Sequence, residues 1–177
     1  STTAAEVSGD ALITGNLKVD TIQKTNGSAP TTKDLGFAAG SVIQFKHFKG
    51  TDTHNVGSSG AWVSVHTGST FTITPKFSTS LIAVRHYSGG LVQNSGNAMI
   101  RLQRNGSTIL ENDRHGYSDV SSEWAPCNWS FQYIDTPSST SALTYTIQVQ
   151  KASGYLRVND YANNANTYVL TLEEIAQ

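Results

Sequence analysis

The sequence predicts an all-β fold, an antiparallel β-sandwich of jelly-roll type with a short N-terminal β extension, and three observations point to it. Leu143, Tyr145, Ile147 and Val149 alternate with Thr144, Thr146, Gln148 and Gln150, the period-two pattern of a strand with one buried and one wet face. Charged residues make up only 14% of the 177 residues, and much of the remainder is Ser, Thr, Asn and Gly. That composition suits short strands and many turns, whereas a helical domain carries more Ala, Leu, Glu and Lys. Finally, turn signals recur between short apolar runs, the strongest being Asn105-Gly106, a pair that tolerates the positive φ of a tight hairpin turn.

Taken in order, residues 1–40 stand apart from the rest of the chain. Leu12-Ile13 and residues 17–23 read as two short strands around Gly15-Asn16. Strands this short cannot bury both faces alone and must lie on the main domain, on a neighbouring copy or on a larger assembly. Residues 41–177 form the sandwich domain. A strand at 42–48 is followed by a polar loop at 49–60, and strands at 61–66 and 69–74 pair across Thr67-Gly68, with Val63, Val65, Phe71 and Ile73 inward. The apolar stretch 81–87 reads as a central strand covered on both faces. Residues 88–97 read as a flexible loop, and 99–104 and 107–111 form the Asn105-Gly106 hairpin. The longest stretch after it without a strand pattern is 112–126.

Strands at 127–134 and 142–151 follow, with Trp129, Phe131 and Tyr133 alternating with Ser130 and Gln132. The Pro/Ser/Thr turn between them predicts two neighbours in one sheet. Residues 155–159, with Leu156 and Val158 inward, an Asn-rich loop at 160–166 and a strand at 167–175 complete ten strands at sandwich spacing.

Several function classes lose ground on composition. A formal net charge of -1 with no basic cluster supplies no field to gather phosphates, so nucleic acid is not an expected partner. No apolar run approaches the ~18 residues of a membrane span, and membrane insertion is not expected. The N-terminus lacks a signal-peptide pattern, which predicts synthesis in a cytoplasm. The single cysteine, Cys127, beside Trp129, reads as a buried structural thiol.

No phosphate loop or nucleophile elbow is present, and His47, His54, His66, His86 and His115 never fall at paired metal-ligand spacing. His47, His66 and His86 read as structural imidazoles within strands. Carboxylates for glycoside cleavage would come from Asp113, Asp119, Glu123, Asp135 or Asp160, mostly in loops, whereas that chemistry needs two acids held roughly 5–10 Å apart on a rigid frame. No catalytic residues, metal or cofactor are therefore expected, and the chain is not expected to be an enzyme. The candidate contact residues are Arg114, His115, Tyr117 and Trp124 in residues 112–126, with Tyr161 in the Asn-rich loop. Tyr and Trp offer flat apolar faces with a polar edge, suited to sugar rings and protein epitopes alike.

Three segments resemble virion fibre and structural proteins of marine tailed phages, especially those infecting cyanobacteria. They are Leu17-Lys18-Val19-Asp20-Thr21-Ile22-Gln23 with Asn26-Gly27, then Phe71-Thr72-Ile73-Thr74-Pro75 leading into Leu81-Ile82-Ala83-Val84, and finally Tyr133-Ile134-Asp135-Thr136-Pro137 with Thr140-Ser141-Ala142-Leu143-Thr144-Tyr145 and a closing Thr171-Leu172-Glu173-Glu174-Ile175-Ala176. The resemblance implies a non-enzymatic virion component, a homotrimeric β-sandwich used as a short tail fibre, a fibre tip or a capsid decoration. Residues 1–40 would then engage other virion proteins, and the loops a host surface glycan or protein. No binding residue carries over, because the loops of such proteins vary. A carbohydrate-binding module of cellular origin is the alternative from another class, and a depolymerase a third.

Overall fold

A computed structural model of the chain describes residues 35–56, 60–66, 71–93, 96–118, 124–151, 153–161, 164–165 and 167–177, with the backbone alone at 91–93, 96, 112–118, 124, 160–161 and 164–165. The chain divides into two units, Ser1–Pro30 and Thr31–Gln177. All described residues belong to the second, so the predicted strands at 12–13 and 17–23 lie outside them.

The strands in chain order are β1 (Val42–Gly50), β2 (His54–Val56), β3 (Val63–Ser64), β4 (Phe71–Ile73), β5 (Leu81–Tyr87), β6 (Gly89–Gln93), β7 (Gly96–Arg104), β8 (Ser107–Ser118), β9 (Trp124–Asn128), β10 (Phe131–Asp135), β11 (Leu143–Lys151), β12 (Tyr155–Val158), β13 (Asp160–Tyr161), β14 (Asn164–Ala165) and β15 (Tyr168–Ile175). Among the described residues there is no helix, and the strand pairings are antiparallel. Sheet A has the order β1-β15-β5-β10, sheet B the order β2-β12-β6-β9, and sheet C the order β3-β11-β7-β8, with β4 also on β11. One buried cluster joins Ile82, Val84, Leu170 and Leu172 of sheet A, Leu156 and Val158 of sheet B, and Ile100, Leu102, Ile147 and Val149 of sheet C. The all-β expectation holds, and the architecture is consistent with a β-sandwich.

Sheets A and B follow one another along the chain. Only Ser88 separates β5 from β6, and only Trp129-Ser130 separates β9 from β10. Trp129 is fully buried at this corner, and its backbone N–H donates to the Ser88 carbonyl at 2.7 Å. Gly90 passes beneath it so closely that a Cβ would lie 2.6 Å from Trp129 Nε1 and collide with the Arg157 carbonyl. Backbone cannot yield as a side-chain tip can. Gly90→Ala should therefore cost about 2 kcal/mol, read as a thermal midpoint lowered by roughly 6 °C.

The predicted core is largely recovered. Leu143, Tyr145, Ile147 and Val149 are buried while their partners are half-buried, and Phe71, Ile73, Val65, Leu156 and Val158 are buried as expected. Asn105 and Gly106 adopt φ of 49° and 82° between β7 and β8. β5 is central in sheet A, between β15 and β10.

Other expectations are corrected. The predicted pair at 61–66 and 69–74 does not form, because β3 and β4 both pair with β11, at Gln148-Val149 and at residues 143–145. The turn at 136–142 joins sheet A to sheet C instead of linking neighbours, since β10 pairs with β5 and β11 with β7. Period two tells which side chains face the core but not which strand lies alongside. The predicted strand at 127–134 breaks at Trp129-Ser130.

The presumed loops at 88–97 and 112–126 are largely strand: β6, the start of β7, the end of β8, and β9. Shorter strands, β2 and the pair β13–β14, occupy the loops expected at 49–60 and 160–166. Pro126 is tolerated in β9 because β9 is an edge strand, where a missing amide breaks no inner ladder. Finally, β5 is not covered on both faces, for Arg85 is exposed and Tyr87 is 57% exposed.

Candidate functional site

The five predicted contact residues do not share one loop. Arg114, His115 and Tyr117 lie on β8, where Tyr117 pairs with Asn97; Trp124 opens β9 opposite Gln93; Tyr161 lies on β13 opposite Asn164. β8 approaches β9 and β6, and β13 approaches β6, so the strands that carry them are neighbours. Their side chains, and residues 119–123, lie outside the described set. Of the carboxylates considered for glycoside cleavage, only the Asp135 side chain is described. It is buried and fully engaged, accepting from Arg104 Nη1 at 2.7 Å and from the Tyr145 hydroxyl at 2.7 Å. Burial first, then the bond to Asp135, pushes the Tyr145 phenol well above its usual range.

Among the described residues no three His, Cys, Asp or Glu side chains converge on a possible metal position. Cys127 is half-buried, and burial pushes its thiol up to about 12. A thiol so reluctant to ionise is a poor nucleophile.

Two sheet faces carry surface chemistry that the sequence patterns did not single out. The first is the outer face of sheet A. Register aligns Phe45, Glu173, Ala83 and Ile134 in one row, His47, Thr171, Arg85 and Gln132 in the next, and Lys49, Val169 and Tyr87 beyond. Val42 (55% exposed), Phe45 (54%) and Ile134 (43%) join Tyr87 as large apolar groups left in solvent. The Phe45 and His47 rings stack with centroids 6.2 Å apart, and the charges of Arg85 and Glu173 pair in the middle of the face. The sequence hides this face, because alternation in strand 42–48 puts Ile43 and Phe45 together opposite Gln44 and Lys46, the pattern of an apolar inner side. The structure decides it: Gln44 turns to the Glu174 carboxylate at 2.6 Å, Phe48 packs edge-on to Phe71 at 5.2 Å, and Phe45 is left outside. Glu174, fully buried, also accepts from the Lys76 amide at 2.7 Å and the Phe77 amide at 3.2 Å, tying residues 76–77 to this edge.

The outer face of sheet C differs in kind. Ser64, Gln148, Arg101 and Glu111 form one row across four strands. Arg101 Nε donates to Gln148 Oε1 at 2.7 Å, and Gln148 Nε2 donates to Ser64 Oγ at 3.1 Å. The half-buried Trp62 ring lies over this row, 4.3 Å from the Arg101 guanidinium carbon. The result is a flat, hydrogen-bonding face with one pre-oriented aromatic plane.

Between the layers, His66 and His86 are both buried, with their Nε2 atoms 2.9 Å apart. The structural role expected for these two imidazoles fits that geometry. The third, His47, is exposed on sheet A.

No protein-family model matches this chain, and no curated protein matches its sequence. Among solved structures it is similar to the T=1 particles derived from infectious bursal virus, at 10% identity and a TM-score of 0.35, over 77% of this chain and 37% of that one. It is also similar to the VP2 subviral particle of infectious bursal disease virus, at 15% identity and a TM-score of 0.31, over 77% and 38% of the two chains. Dimeric latent PorU from Porphyromonas gingivalis matches at 14% identity and a TM-score of 0.33, over 80% of this chain and 14% of that one. The chain thus spans under two fifths of the length of these structures. Scores this low do not establish a common fold.

Proposed function

We propose that this chain is a structural protein of a tailed-phage virion, assembled as a homotrimer through the outer face of sheet A and used as a short tail fibre or fibre tip in host attachment. The observation that carries this proposal is the exposure of Val42, Phe45, Tyr87 and Ile134 on one sheet face. Water is a poor neighbour for such a face, and burying it against further copies removes that cost. The segments that resemble phage virion proteins supply much of this same sheet, since residues 81–84, 133–135 and 171–175 lie on β5, β10 and β15.

Four strands ~4.8 Å apart, with about seven residues each at ~3.3 Å, give a face of roughly 400 Å², about half the ~800 Å² per partner of a stable interface. In this proposal the rest comes from residues 1–40 winding together with their copies.

Light scattering of the full chain at micromolar concentration should return three chain masses. Phe45→Glu, which forces a carboxylate into the apolar contact, should weaken assembly by roughly 100-fold. A clean monomer of the native chain would overturn the proposal. A capsid decoration would use the same trimer at a different place on the particle, and cryo-electron microscopy of the virion separates the two positions.

The Trp62 face favours a second reading, glycan binding, as an attachment function or as a carbohydrate-binding module. Its charges balance, and it offers one aromatic plane beside amide and hydroxyl groups, which suits a neutral sugar chain. Trp62→Ala should lower glycan-array binding at least tenfold while leaving the oligomeric mass unchanged. In a trimer, three weak sites act together through effective concentration.

A further inference from the structure

We propose that the His66–His86 pair is an acid-sensitive latch: at neutral pH it pins residues 60–66 onto the sandwich, and on acidification it lets them go. This does not depend on the virion reading.

The geometry of the pair is specific. Two Nε2 atoms 2.9 Å apart can share a hydrogen bond only if one carries a proton and the other a lone pair. A first extra proton can enter at Nδ1 of the donating ring, which keeps the shared bond but buries a charge, or at the accepting nitrogen, which sets two N–H groups face to face; in a dry site both cost free energy that hydration would relieve. The surroundings offer that extra charge little relief. The His66 ring stacks on Tyr168 of β15 with centroids 3.5 Å apart and meets Phe71 of β4 edge-on at 6.2 Å, while His86 tilts against Phe131 of β10 at 5.4 Å. Among the described residues, the titratable groups facing His66 are Tyr168, whose hydroxyl reaches Asp52 Oδ2 at 3.5 Å, and His54 of β2, whose own charge opposes one on His66. Burial, helped by His54, lowers the His66 pKa to about 4.

The same structure says which partner moves. His86 lies mid-strand in β5, pairing with Leu170 on one side and Phe131 on the other. His66 sits just past a two-residue edge strand, and its backbone holds φ at 61°, a left-handed conformation that costs an L-residue free energy. Moving His66 outward relieves that strain and hydrates the new charge, whereas moving His86 would break the middle of a sheet. The backbone bond from Val65 N–H to the Ile147 carbonyl, 3.0 Å, is the one that departure of His66 would break first.

Hydrogen exchange read by mass spectrometry on the full chain tests the latch at pH 7.4 and pH 5.0, after correction for the intrinsic pH dependence of exchange. Acid should speed exchange in peptides covering residues 60–66 by about tenfold or more, with β5 and β15 unchanged. His66→Asn keeps a residue that accepts the left-handed backbone but does not titrate; the acid increment should vanish in it. His86→Gln removes the facing imidazole while His66 stays buried, so it should reduce the increment without abolishing it. Equal protection at both pH values, an increment that survives in full in His66→Asn or is unchanged in His86→Gln, or one spread evenly over all strands would overturn the proposal.

Discussion

Replacing Asp135 by Ala should destabilise the domain by about 3 kcal/mol, the largest single-residue effect expected here. Asp135 ends β10 in sheet A, while Arg104 and Tyr145 lie on β7 and β11 of sheet C, so the carboxylate is a polar bridge between the two layers. Its side chain is 5% exposed and that of Arg104 is 28% exposed. Truncation leaves a largely buried guanidinium without its counter-charge and a buried phenol without its acceptor, and both lost the water that would otherwise replace it. Because Arg104 can partly rehydrate, the lower end of the usual range for a broken buried pair applies. Urea unfolding at one fixed protein concentration should register the loss as a lower midpoint with an unchanged slope. Tyr145→Phe, which removes one hydrogen bond and leaves the ion pair in place, should cost about 1 kcal/mol. Equal losses in the two variants would mean that the Arg104 pair contributes nothing.

Stability should also fall by about 2 kcal/mol between pH 7 and pH 5, through His66 alone. Its folded pKa, about 4, lies below the ordinary value of 6.5 that the unfolded chain takes. Between those two values the unfolded state binds the proton that the native state refuses, so stability rises with pH across that window. Above 6.5 neither state is protonated, below 4 both are, and the contribution is flat at each end. Most Asp and Glu side chains keep their charge down to pH 5, near 4 being their ordinary pKa, so the interval 7 to 5 isolates the histidine term. Denaturant titrations at the two pH values should show the loss in the native chain and a much shallower dependence in His66→Asn. An identical slope in both would place the titrating group elsewhere.

Period-two alternation made β11 legible before any coordinates, as Leu143, Tyr145, Ile147 and Val149 could only be the buried face of a strand. The Asn105-Gly106 turn was legible for a different reason, since few residue pairs accept positive φ twice. Alternation fails where polar residues sit on a strand without an obvious apolar face: residues 112–118 carry no strand pattern, yet Asn112 and residues 116–118 pair with β7. It also misleads at Phe45, which alternation puts with Ile43 on the face opposite Gln44 and Lys46, whereas the fold leaves Phe45 in solvent and turns Gln44 to the buried Glu174.

The sequence by itself determined the class of fold, most of the inward-facing side chains and the tight hairpin, because these depend on residues a few positions apart and on local backbone preference. Partners came only with the tertiary structure: that β10 and β11 belong to different layers, that β3 and β4 share one neighbour, that Asp135 bridges the layers, and that His66 meets His86. A strand's pattern states which side is dry, and only three-dimensional packing selects which distant segment makes it so.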